Sequence, residues 1–266
     1  MRLFGVYQNT HMVKKLNGLE SLSLSDNRKT KFFSEHKNTF GLRTGLPAHG
    51  GTCSGATHGD GGCLYARGEK GEPTCYAAKL RRIYVNYGKT EDRNTDLLLS
   101  QDYAGMVTVI RNTVMKWLLN GGHKQQYFRL HMGGDFFDEE YTRAWKHVID
   151  EWPLVKFWTY TRSMFAVPIL ADCKNLSLYL SCDPVNRDEV MKAYTPYKDY
   201  SNIAIAWMGN SFPESVLDDR KYLKCPEVSK KLKSTKDEGA CSRCRACIDR
   251  PLKNGKMRHI QFPIHR

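Results

Sequence analysis

Between Tyr127 and Met208, four short apolar runs alternate with three stretches of helical spacing, and few folds accept that pattern. Tyr127 to Met132, Val155 to Thr161, Leu176 to Ser181 and Ile203 to Met208 read as strands. Asp138 to Trp152, Met164 to Cys173 and Asn186 to Tyr194 read as the helices between them. The first of these carries Asp138, Glu139 and Glu140 in its opening turn, where the helix dipole favours acids. Strands joined by helical crossovers lie parallel, which leaves a barrel, a partial barrel or a doubly wound sheet. We expect an α/β fold with a partial (β/α) barrel-like parallel sheet.

Each strand runs into polar or small residues: Gly133-Gly134-Asp135, then Tyr160-Thr161-Arg162-Ser163, Ser181-Cys182-Asp183-Pro184 and Met208-Gly209-Asn210. In parallel α/β folds ligands bind at the carboxyl ends of the strands, so these strand ends read as a site rim. Turn residues alone would account for most of them. Arg162 and Asp183 exceed what a turn needs, which makes them, with Tyr160 and His131, candidates for the substrate side. His131 is either a general acid/base or a core histidine bonded to a carbonyl.

Upstream, Tyr103 to Leu119 is the clearest helix, stopped by Gly121-Gly122. A second helix is expected from Tyr76 to Tyr87, ended by Gly88, and short strands at Leu3 to Tyr7 and Leu19 to Leu24. Before these helices lies a glycine-rich loop holding Cys53, Cys63 and Cys75. So polar a segment cannot fix itself by burying surface, whereas three thiolates meeting at a metal centre would fix it. An iron–sulfur cluster held by three cysteines leaves one iron open to a small molecule. His58, inside the loop, and Cys182, at the rim, are alternative fourth ligands; Cys173 and Cys182 otherwise read as small buried hydrophobes.

A second group follows the last expected strand: Cys225-Pro226, then Cys241, Cys244 and Cys247 two residues apart. A Cys-x-x-Cys-x-x-Cys run with a more distant Cys-Pro has the content of a ferredoxin-type site, and zinc is the rival occupant. We therefore expect an α/β core over residues 1–210 and a basic, cysteine-rich appendix over residues 211–266. The appendix from Asp219 onward has fourteen Lys or Arg against five Asp or Glu, so it either binds an anionic partner such as nucleic acid or a nucleotide, or forms a solvated surface.

With aromatics at 11%, the chain is not disordered, and no run of about 18 apolar residues suits a membrane span. The first residues lack the form of a secretory signal, which points to the cytoplasm, where nine cysteines read as ligands or reactive thiols rather than disulfides.

Gly133-Gly134-Asp135 is the other distinctive string: the glycines let backbone approach a ligand, and the acid can accept from an amine or a ribose. Strand alternation would set Arg129 and His131 on one side of the sheet. The order of parts, a three-cysteine loop before the first helix, a Gly-Gly-acidic string after the next strand, βα units and a C-terminal cysteine group, resembles radical S-adenosylmethionine enzymes. That resemblance implies that Gly133, Gly134 and Asp135 bind the methionine amino group, that a [4Fe-4S] cluster sits on Cys53, Cys63 and Cys75, and that a host protein supplies electrons. The gaps between those cysteines are nine and eleven residues, where such enzymes usually have three and two, and the aromatic residue follows the last cysteine as Tyr76.

More closely, Cys53-Ser-Gly-Ala-Thr, Cys75-Tyr-Ala, His131-Met-Gly-Gly-Asp-Phe-Phe, Tyr160-Thr-Arg-Ser and the Cys241, Cys244, Cys247 run resemble the phage family called gene product 88, over roughly Gly41 to Asp249. This second resemblance implies a phage protein acting in the host cytoplasm. The expected function is that of a radical S-adenosylmethionine-like enzyme with one or two [4Fe-4S] clusters. The rival is a non-enzymatic iron–sulfur or zinc protein that binds nucleic acid through its basic segment.

Overall fold

The computed structural model describes residues 18–31, 37–56, 75–124, 126–216, 218 and 220–263. In chain order the main elements are α1 (Tyr76–Ile83), α2 (Val85–Leu99), α3 (Tyr103–Leu119), β1 (Tyr127–Arg129), α4 (Glu139–Glu151), β2 (Lys156–Thr161) and α5 (Ala166–Leu170). They continue with β3 (Leu176–Cys182), α6 (Arg187–Tyr194), β4 (Ile203–Met208), β5 (Tyr222–Lys224), α7 (Ala240–Cys244) and β6 (His259–Phe262). The six strands form one sheet in the order β1-β2-β3-β4-β6-β5, with every neighbouring pair parallel. The sheet is open.

Local chemistry sets the helix ends. Asp102 caps α3 by accepting from the Gly105 amide (2.8 Å), and Asp138 caps α4 by accepting from Tyr141 (2.7 Å). The helix expected from Tyr76 to Tyr87 is instead two, broken at Tyr84, and Gly88 lies inside α2. Arg81 fixes the break: its guanidinium reaches past the bend to the Gly88 carbonyl, Glu91 and Asp92.

The expected strand at Leu19 to Leu24 joins no ladder. Its amides are taken by helix side chains instead, Leu22 donating to Thr113 Oγ1 (2.8 Å) and Ser23 to Asn94 Oδ1 (2.7 Å). The expectation at Leu3 to Tyr7 lies outside the described residues. Segment 38–42 runs parallel beside β1, with Arg129 donating to the Asn38 carbonyl (2.8 Å), Met132 to Phe40 (2.7 Å) and Leu42 to Gly133 (2.9 Å).

The two faces of the sheet differ. Phe128, Phe157, Leu178, Leu180, Ile203 and Ile205 pack with α3, α4 and α5 into the large core. Tyr179, Ala204, Ala206 and Ile260 point the other way and are covered by Ala246 and Met257 from the C-terminal segment. That segment, expected as an appendix, therefore contributes β5 and β6 to the sheet and roofs its second face. Both strands escape a hydrophobicity reading, because β5 is three residues among lysines and β6 carries His259 and Gln261. His259 Nδ1 accepts from the Ile205 amide (3.0 Å) and Gln261 Nε2 donates to Gly209 O (2.9 Å), so these polar groups are buried but satisfied.

Candidate functional site

The carboxyl ends of segment 38–42, β1, β2 and β3 meet along one rim. The cysteine loop starts here. Thr52 holds it from both sides, its hydroxyl donating to Arg43 O (2.9 Å) and accepting from the Asp135 amide (3.2 Å). Ser54 Oγ donates to Phe137 O (2.8 Å), and a Cβ on Gly55 would lie 2.1 Å from the Arg162 carbonyl. Cys53 thus sits between residues pinned to the exits of β1 and β2. Cys75 arrives from the other direction as the residue before α1, and two positions on, Ala77 lies against Gly133.

Both glycines are dictated by this crowding. A Cβ on Gly133 would lie 2.5 Å from Glu91 Oε1, and one on Gly134 only 2.4 Å from Thr52 Oγ1. Gly134 also has φ +75°, a conformation that L side chains resist. The pair lets α1, α2 and the cysteine loop close onto the end of β1. Cys63 and His58 lie outside the described residues.

Asp135 is buried and fully engaged: it accepts from Thr161 Oγ1 (2.7 Å), the Arg162 amide (2.7 Å) and its own neighbour Phe136 N (2.8 Å). Burial nonetheless pushes its carboxyl up to about 6. Glu91, behind Gly133, is raised to about 7 by burial, against the pull of Tyr87 and Arg81. Arg162 pairs with Asp183, whose other oxygen accepts from Val185 N (2.8 Å) and Asn186 N (3.2 Å). The rim therefore brings together Cys53, Gly133, Gly134, Asp135, Arg162 and Asp183.

His131 and Tyr160 go elsewhere. The chain turns at His131, φ +54°, which breaks the alternation that would put it beside Arg129. Its ring enters the helix-side core between Phe40 and Phe136, with Nε2 2.9 Å from Tyr141 OH and Nδ1 without a partner. Burial holds it down to about 3, so it is neutral at pH 7. Arg129 faces the opposite way, 5.7 Å over the Tyr160 ring. Cys173 and Cys182 are packed in the same large core as His131, and burial lifts both thiols to about 12.

The second cysteine group lies on the sheet's other face. Cys225, Cys244 and Cys247 pack beside Tyr160, Tyr179 and Ala206. Cys247 lies beside Tyr160 and Tyr179, and the Tyr179 hydroxyl donates to Arg258 O (3.2 Å). Burial raises the Cys225 thiol, while the nearby backbone amides of Val228 and Glu227 pull it down. Burial raises Cys241 to about 11, and Cys225 adds to that rise while Arg129 opposes it. All four thiols influence one another electrostatically. Among the described residues no three His, Cys, Asp or Glu side chains gather tightly enough to hold a single metal ion. Sequence reading missed Tyr179 and Arg129 as neighbours of this group; their alternation with Leu178 and Phe128 was the available signal.

Residues 6–250 match the family described as Gene product 88. The chain belongs to that family. Two Gene 88 proteins, of Mycobacterium phages L5 and D29, are each 32% identical to it, over 180 and 182 residues respectively, covering 66% of this chain and 73% of each relative. No solved structure matches it. For the gene product 88 family, the strand-end rim and the cysteine-covered face are thus described on this chain's own side chains.

Proposed function

We propose that this phage protein is an iron–sulfur enzyme of the radical S-adenosylmethionine type, with Cys53, Cys63 and Cys75 as ligands of an open [4Fe-4S] cluster. One observation carries the reading: the Cys53 loop leaves segment 38–42, which lies parallel beside β1, and the chain after β1 passes through Gly133, against which Ala77, two residues past Cys75, lies. When bound, such a cluster would supply one electron to split the sulfonium of S-adenosylmethionine and release a 5′-deoxyadenosyl radical.

The chain's own residues would position and enclose. Gly133 and Gly134 present backbone where a side chain would block approach. Asp135 is occupied with the β2 exit, so it would shape the rim while the glycine backbone meets the ligand. Arg162 and Asp183 would line the substrate side. Neutral, buried His131 would brace the β1 exit rather than move a proton.

For Cys225, Cys241, Cys244 and Cys247 we favour a second [4Fe-4S] cluster. Zinc draws four sulfurs to about 2.3 Å from one ion, whereas a cubane binds each thiolate to a different iron and accepts wider spacing. The backbone amides near Cys225 favour its thiolate, which supports a ligand there.

Iron and acid-labile sulfide analysis of anaerobically purified protein tests the metal, with about eight irons expected for two cubanes. Reduction with dithionite in the presence of S-adenosylmethionine should then yield 5′-deoxyadenosine. Zinc without iron, or a cluster that leaves the cofactor intact, defeats the enzyme reading.

A further inference from the structure

Of the chain's thirteen net positive charges, nine fall in the 48 residues from Asp219 to Arg266. The fold concentrates them further. The loop between Cys225 and α7 is stitched to residues 28–31: Gly239 N donates to Lys31 O and Cys241 N to Lys29 O, each at 2.8 Å. Arg243 Nη1 reaches back to Lys233 O (3.2 Å). Arg28, Lys230, Lys231, Lys233, Lys236 and Arg243 therefore share one lobe, over the second cysteine group, and all six are exposed. None of the six pairs with a carboxylate among the described residues. Lys29 is the neighbour that does, 3.0 Å from Glu227.

Next to Cys225, the edge strand β5 carries Lys224, with Lys221 just before it; the exposed Tyr222 turns to the helix-side face, where its ring stacks on Phe212 at 4.8 Å. Lysines on an edge strand discourage strand pairing, which explains Lys221 and Lys224. It does not explain six unpaired cations on a loop and a helix, whose mutual repulsion costs stability unless an anion binds. Cations gathered on one exposed lobe without carboxylate partners match a phosphate backbone, which repeats a negative charge at every nucleotide.

We propose that this lobe docks nucleic acid, its phosphates against the six cations. The inference rests on charge and exposure, not on metal, so it goes beyond the reading above and can fail separately.

The test uses the full chain, a fluorescent single strand of about 30 nucleotides in DNA and RNA forms, and anisotropy across a salt series. For about five phosphate contacts, log K should fall against log salt with a slope of about −3 to −4. The variant Lys230→Glu/Lys231→Glu/Lys233→Glu should bind at least about tenfold more weakly, with a slope shallower by about 2. Tyr222→Ala, on the opposite face of the sheet, should leave both affinity and slope unchanged. Absence of binding at about 50 mM salt overturns the proposal. So does an equal loss in the control Lys89→Glu/Lys174→Glu/Lys192→Glu, or attachment to phosphatidylserine vesicles without attachment to the strand. Iron is measured on the same samples: binding by iron-free protein would sustain this surface while the metal reading falls.

Discussion

Arg162, one residue past β2, is paired with Asp183, one residue past β3, and the Asp183 carboxylate is fully buried. The pair ties two neighbouring strand ends across the rim, and Asp183 also closes the turn into α6 through Val185 and Asn186. Breaking a buried pair by removing one partner strands the other charge, at about 3–5 kcal/mol. Asp183→Ala should therefore lower the urea-unfolding free energy by about that much. Arg162→Met/Asp183→Asn should recover most of it, because neither charge is then left alone and the Asn oxygen still accepts from the turn amides. A single variant as stable as the parent would mean that the rim does not depend on this contact.

His131 makes a pH prediction of definite sign. Its folded value, about 3, lies below the unfolded 6.5, so its contribution is full above about 6.5 and is lost as pH falls toward 3. Between pH 7.5 and 5 the loss is about 2 kcal/mol. Asp135 and Glu91, raised to about 6 and about 7, act oppositely: they stabilise at low pH, and that stability is lost as pH rises through those values. Comparison with His131→Asn, which tolerates the positive φ, isolates the histidine. The gap between parent and variant should shrink on acidification; parallel profiles would refute it.

Gly134→Ala should be costly. It adds a left-handed conformation worth about 1–2 kcal/mol to a clash with Thr52, the residue that anchors the Cys53 loop. A loss of about 2 kcal/mol or more is expected in chemical denaturation, with less iron retained after anaerobic gel filtration. Full iron retention would separate the glycine from the first cysteine group.

The cysteines should sort by face. Cys182→Ala, in the large core, should cost about 0.5–3 kcal/mol and leave iron content unchanged. Cys247→Ala should remove the C-terminal group's iron. Tyr160→Phe, which deletes a hydroxyl beside Cys247, should shift the midpoint potential of the proposed C-terminal cluster while the fold survives. Iron loss from Cys182→Ala would reassign Cys182 as a ligand.

How legible was this in the residues alone? The strands β2, β3 and β4 were, because Phe157, Leu178 and Ile205 stand in continuous apolar runs that only a buried parallel strand requires. The rim was legible for the same reason, since Arg162 and Asp183 follow directly where those runs stop. What stayed hidden depended on distant partners. Among the described residues, segment 38–42 gains its strand-like pairing from β1 and a single bridge to Ser25, and β5 pairs with β6 alone. The direction of His131 was set by a single positive φ, which no periodicity encodes. Nor could spacing reveal that the C-terminal cysteines lie under Tyr160 and Tyr179, because that contact spans the whole sheet.

β6 lies between β4 and β5, although β5 is made first. During synthesis, the strand leading into Cys225 has no neighbour to join until residues 259–262 emerge. Cys225, Cys241, Cys244 and Cys247 are by then already outside, on a stretch not yet locked in place. A strand made earlier is thus held in place by one made later, and loss of residues 259–262 would release the strand that leads into Cys225.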